Sequence, residues 1–155
     1  MQQTIRQLIF TEVISKLNQI QTASGYSSNL GQSVWEWRAT PFSTEELPAI
    51  IVRDLDEQVK ETTEYSRRHL RNLHIQVEIA TTGDQAPKDV RKLLADVEQA
   101  IATGSSESWA NLARGTRPRI SRLVVEQDSQ RIAGAIVEFF IDYGTHAFSS
   151  YDALP

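Results

Sequence analysis

The sequence predicts an α+β fold: a single two-layer domain in which a mainly antiparallel sheet of about five strands carries two main helices packed on one face. Three observations point there. Long apolar patterns at helical spacing occur at only two places, strand-like segments occur at five, and the order is helix, three strands, helix, two strands. Hairpin-like connections in that order suit an antiparallel sheet better than the strict strand–helix alternation of a parallel one. A chain of 155 residues builds one core without staples. No repeat, low-complexity segment or linker interrupts it, so residues 1–155 are expected to form one domain.

Ile5, Leu8, Ile9, Val13, Leu17 and Ile20 recur at three- and four-residue steps, which makes Thr4 to Ile20 an amphipathic helix. Thr22 to Gly31 is small and polar, with glycine at 25 and 31, and reads as a surface loop. Val34 to Arg38 alternates as a short strand, with Trp35 and Trp37 on one face and assigned to the core. Pro48 is tolerable at the entrance of a second strand, Ala49 to Leu55, rich in β-branched residues. From Asn72 to Thr81, Leu73, Ile75, Val77 and Ile79 form a buried face, and Asn72, His74, Gln76 and Glu78 a wet one. The charged stretch between these strands, Asp54 to His69, lacks Gly and Pro and is too long for a tight turn. It is expected to carry both strands outward as a projecting arm.

Pro87 near a helix start and Val90, Leu93, Leu94, Val97 and Ile101 predict the second helix, to about Ala102. Gly104 to Ser106 ends it; Ser105 or Ser106 would cap a short helical turn through Trp109, Leu112 and Ala113, broken by Gly115 and Pro118. Ile120 to Glu126 and Arg131 to Tyr143 are the last two strands, joined by a hairpin loop at Gln127 to Gln130. Around Ile136, Val137, Phe139, Phe140 and Ile141 the last strand is apolar on both faces, so it belongs mid-sheet or is covered on both sides. The tail, residues 146–155, is expected to be weakly ordered.

With no cysteine, the chain has no disulfide framework, cysteine-ligated zinc, iron–sulfur cluster or cysteine nucleophile. The apolar runs are too short for a membrane span, and Met1 to Arg6 lacks the layout of a signal peptide, so a soluble chain made in a cytoplasm is expected. His69 and His74 are five apart on a strand and fall on opposite faces, which excludes a simple strand pair of metal ligands. For these two and His146, a solvated or hydrogen-bonded histidine is the reading adopted over a metal ligand. The pairs Ser27–Ser28 and Ser105–Ser106 lack a nucleophile elbow, and Gly25 and Gly31 lack the Lys-Ser/Thr of a phosphate loop. No catalytic residue, cofactor or metal site is assigned.

Charge is the more informative signal. The net charge is −4 and the basic residues show no overall excess, which argues against duplex DNA as the main ligand. Locally, Asp54, Asp56, Glu57, Glu61 and Glu64 face only Lys60 over the predicted arm, while Arg114, Arg117, Arg119 and Arg122 contain no acid between them. A lone charged patch reads as a solvated face. Two of opposite sign on different elements allow the acidic arm of one copy to meet the basic loop of the next, a heterologous contact that closes into a ring or runs on as a filament. Pairing of the same patches within one subunit remains equally open.

The opening helix Ile5 to Ile20, the Leu47-Pro-Ala-Ile-Ile-Val52 strand entrance with its acidic arm, and the Arg68-to-Ile79 strand running into a proline-started helix resemble a bacteriophage tail terminator, or tail completion protein, of the lambda-type group. The closing segment Ala135 to Thr145, with Tyr143-Gly-Thr145, is similar to the terminal strand of such proteins. The resemblance covers most of the chain and includes no catalytic motif. It implies a non-enzymatic virion protein assembled in the host cytoplasm, forming a homo-oligomeric ring, a hexamer. Such a ring caps the head-proximal end of the tail tube, stops addition of tube protein and presents a surface to the head–tail connector protein, without membrane or cofactor. In that setting the arms reach a neighbour or the tube, and the basic loop lines a lumen through which DNA passes. Two rivals are a head-side neck or connector protein of the same particle and a small enzyme using His74, Glu78 and Asp142 as an acid/base cluster.

Overall fold

The computed structural model describes residues 2–61, 67–102, 109–127, 131–151 and 153. Helix α1, Ile5–Asn18, starts where the Thr4 side chain accepts the backbone N–H of Gln7 at 3.1 Å, and it buries Ile5, Ile9, Phe10, Val13 and Leu17. Two single 3₁₀ turns follow, Thr22–Ser24 and Leu30–Gln32, the first closed by Gly25 at φ 88°. Gly31 then passes so close under the end of α1 that an added Cβ would lie within 3.0 Å of the Asn18 carbonyl. The loop is tied down by Asp96 of α2 (Ala86–Ala102), a buried carboxylate that accepts from Ser27 N at 2.9 Å and Ser28 Oγ at 2.6 Å.

The remaining strands are β1 (Val34–Glu36), β2 (Ala49–Glu61), β3 (Arg68–Thr82), β4 (Ala113–Gln127) and β5 (Arg131–His146), in sheet order β1-β2-β3-β5-β4. Only β1–β2 is parallel. β3 and β5 pair without interruption from Arg68–His146 to Thr82–Ile132. β2 is bulged between Asp54 and Glu57, and β4 at Ala113/Gly115 and Pro118/Ile120. Both helices lie on one face, over a core built from Ile50 and Val52 of β2, Leu73 to Ile79 of β3 and Ala133 to Tyr143 of β5. This is the α+β two-layer architecture expected, and β5, between β3 and β4, holds the interior position that its two apolar faces require.

Three local expectations need correction. Trp35 and Trp37 are not core residues; they are 44% and 50% exposed. The strand stops at Glu36, and Trp37 turns out of it at φ 48°, its N–H donating to Val52 O and its indole Nε1 donating to Asp54 at 2.6 Å. Trp35 instead lies under the Arg38 guanidinium, which is fixed by two bonds to Glu46. Secondly, no helical turn runs through Ala113. Trp109, Ala110 and Asn111 take left-handed φ values of 42°, 62° and 63°, and β4 begins at Ala113. Gly115 and Pro118 do not break it, because the two bulges absorb them and β4 is an edge strand where proline is tolerated. Trp109 itself is fully buried, stacked on Phe139 and donating Nε1 to Thr116 at 2.7 Å.

The third correction concerns His74, placed by alternation on a wet face but only 4% exposed. The arm is the continuing β2–β3 ladder, with β5 alongside β3 as far as His146; residues 62–66, including Glu64, lie outside the described residues. So do residues 103–108, with Ser105 and Ser106, and residues 128–130 of the β4–β5 connection. The tail returns to the body, where Ile5 N donates to Ser150 O at 2.8 Å and Thr145 bridges to Ala153.

Candidate interaction face

The face of the sheet turned away from the helices carries the ionic chemistry, because alternation sends every second residue of four long strands to that side. At one end Arg53 of β2 meets Glu78 of β3 at 2.7 Å. At the other, Asp142 of β5 accepts two bonds from Arg117 of β4, at 2.8 and 3.1 Å, and one from Asn72 at 2.5 Å. Burial alone would raise the Asp142 pKa, but the Arg117 and Asn72 bonds outweigh it and hold the carboxyl below its ordinary value. Beside this pair, Gln58, Lys60, Leu70 and Phe140 complete the lining of a shallow hollow of about 390 Å³.

His74 occupies the centre. Its Nδ1 lies 2.8 Å from Asp56 and its Nε2 3.0 Å from Glu138. Each ring nitrogen thus faces a carboxylate oxygen, one from β2 and one from β5. Arg119 rests its Nη1 3.1 and 3.2 Å from the two ring nitrogens and its Nε 3.5 Å from Glu138. The bond from His74 is the main reason that the Asp56 pKa is lowered. For Glu138, burial works to raise the pKa, and bonds from Gln76 and His74 with the Arg119 charge overcome it, so the net shift is downward. Arg117 and Arg119 both stand near the Phe140 ring, their guanidinium carbons 5.6 and 5.5 Å from its centroid.

Asp54 and Glu57 lie on the side of the helices. Asp54 accepts from Arg6 Nε at 2.6 Å as well as from Trp37, and Arg6 reaches on to the Leu55 carbonyl at 3.0 Å. Glu57 takes Arg71 at 2.8 Å and the Tyr143 hydroxyl; burial and that carboxylate push the Tyr143 pKa well up. Thus Asp54, Asp56 and Glu57 each have a partner within the subunit, as have Arg117 and Arg119. Arg114 and Arg122 are exposed on β4. Glu61 ends β2, and its side chain lies outside the described residues, as Glu64 does entirely.

His74, Glu78 and Asp142 do not converge: they engage Asp56 and Glu138, Arg53, and Arg117 respectively. Glu78 also sits four residues from His74 along one strand, about 13 Å at the usual rise. Among the described residues no group of three or more His, Asp or Glu is arranged to hold a metal ion, and no helix is long and apolar enough to cross a membrane. The sequence reading missed Glu138, whose place inside the apolar run Ile136 to Ile141 was a signal that a partner must reach it from the next strand. Set against models of known protein families and against curated proteins, the chain matches none.

Proposed function

We propose that the protein is a structural component of a bacteriophage tail: a terminator whose copies form a ring, six-membered by resemblance, on the head-proximal end of the tail tube. There it ends tube polymerisation and offers the surface that the head connector joins. It acts through interfaces, without catalysis or cofactor, in the virion after assembly in the host cytoplasm.

The observation that carries this reading is the element order around an uncovered sheet face. An opening helix, a long β2–β3 hairpin running straight into α2, and a closing hairpin that ends on Tyr143-Gly-Thr145 follow the order on which the resemblance rests. Among the described residues, they leave one face of five strands without a helix over it. The test is light scattering of the purified protein at several concentrations and salt levels, followed by addition to polymerising tail-tube subunits. A closed oligomer that weakens at high salt and halts tube growth is expected. Tubes that grow on unchanged, or a protein that binds the connector and never the tube, would replace this reading with the head-side one.

A further inference from the structure

The sheet order leaves two long edges. Among the described residues, β4 is bordered by β5 and by no other strand. At the opposite side β1 covers β2 at Ile50–Val52, so among the described residues β3 is the one strand that borders residues 57–61. A free edge is a template for another strand unless it is short, charged or bent. β4 has 15 residues and, besides its arginines, exposes Ile120, Leu123 and Val124 at 39, 41 and 37%.

Direction, level and charge select the occupant. β2, β3, β5 and β4 alternate in sense, so a copy set beside β4 in the same orientation presents its β2 antiparallel, and the alternation continues across the junction. Gln58 lies opposite Asn72, Asn72 opposite Asp142 and Asp142 opposite Gly115, and Val59, Arg71, Tyr143 and Ala113 form the next row, which puts Glu57 to Val59 level with the start of β4 on the opposite edge and Lys60 and Glu61 just beyond its first residue. At that level β2 carries Asp56 and Glu57, with Lys60 and Glu61 following, and β4 carries Arg114 and Arg117 without an acid. A two-fold β4–β4 pairing would set arginine against arginine. Further along, where the incoming β1 would stand in the way, the Pro118/Ile120 bulge bends β4.

We infer that the β4 edge of one copy takes residues 56–59 of a second copy as an added antiparallel strand, so that one sheet runs on from subunit to subunit. This rests on the ring reading above and gives it a contact. Residues 56–59, facing Ala113 to Arg117, supply about 13 Å of shared ladder, and Arg–carboxylate bonds across it set the register. Asp56 and Arg117 keep their internal partners, since a carboxylate accepts, and a guanidinium donates, more bonds than those already made.

The absence of cysteine makes the test direct. Gln58 is exposed, and a Cβ at Gly115 meets nothing within 4 Å, so the variants Gln58→Cys, Gly115→Cys and the double variant leave the subunit intact, as circular dichroism would verify. On mild oxidation the double variant should give a ladder of covalent multimers ending in one closed species, with each single variant staying monomeric on a non-reducing gel. Dimers from Gly115→Cys alone, or a strict monomer by scattering, would overturn the contact. An oligomer seen by scattering with no cross-link would overturn it too, while leaving the ring reading in place. Cross-linked rings that fail to stop tube growth would keep the contact and remove the terminator.

Discussion

A histidine with a carboxylate at each ring nitrogen cannot be shortened to alanine without leaving charge behind. Glu138 is 9% exposed, and His74→Ala would strip one of its donors and open a gap under Phe140. A loss of about 2 kcal/mol is expected in urea unfolding, and His74→Gln, which keeps one donor, should lose less. Equal losses would mean that the ring's volume matters and its bonds do not. Period-two alternation assigned His74 correctly to the face opposite Leu73 yet could not say what stands across from it. Asp56 and Glu138 arrive from two other strands, 18 and 64 residues away. Trp35 and Trp37 failed for a different reason: β1 packs Val34 against the core and so turns Trp35, opposite Ile51, to the other face, and a left-handed residue at 37 ends the strand before the second indole. Such a turn by a non-glycine residue has no local signature.

At the level of elements, the two helices and the long strands were readable because their apolar periods extend over three or more repeats. Boundaries near Gly115 and Pro118 were not, since a bulged edge strand and a broken loop share the same residues. The tight approach of Gly31 to the end of α1 yields a sharp prediction. Gly31→Ala forces a Cβ onto the Asn18 carbonyl, where neither side is a flexible side chain, so a loss of about 2 kcal/mol or more is expected. Gly25→Ala meets no neighbour and should lose only about 1 kcal/mol through its φ of 88°. Thermal melts of the two variants in parallel check the order; a reversed ranking would mean that α1 can shift to accommodate the methyl.

Across the whole molecule, the carboxylates set the acid limit. Asp56, Glu138 and Asp142 have lowered values, and Glu46, held by Arg38 and the Ser43 N–H, is brought down to about 2. A group whose folded pKa lies below its unfolded one stabilises fully above the unfolded value and loses that contribution as pH falls through the folded value. The urea midpoint should therefore stay level from neutral pH to about 5 and fall progressively below about 4. Tyr143 acts in the opposite sense: its raised value means that its contribution is complete below the ordinary tyrosine range and lost as pH rises beyond it. An unfolding midpoint constant between pH 7 and 3 would show that the ionic face contributes nothing to the subunit itself. The opposed charge patches were visible in the sequence, but their internal pairing needed strand order, which composition does not carry.

The three indoles divide by environment: one dry against Phe139 and two at the surface beside β1. Intrinsic fluorescence is therefore a two-part signal. Acrylamide should quench the Trp35 and Trp37 emission in the native protein and leave a blue-shifted remainder from Trp109. That remainder reports the packing of β4 and β5 against the helices, while the quenchable part reports the rim of the sheet near Asp54, so a single emission spectrum separates what happens at the surface from what happens in the core.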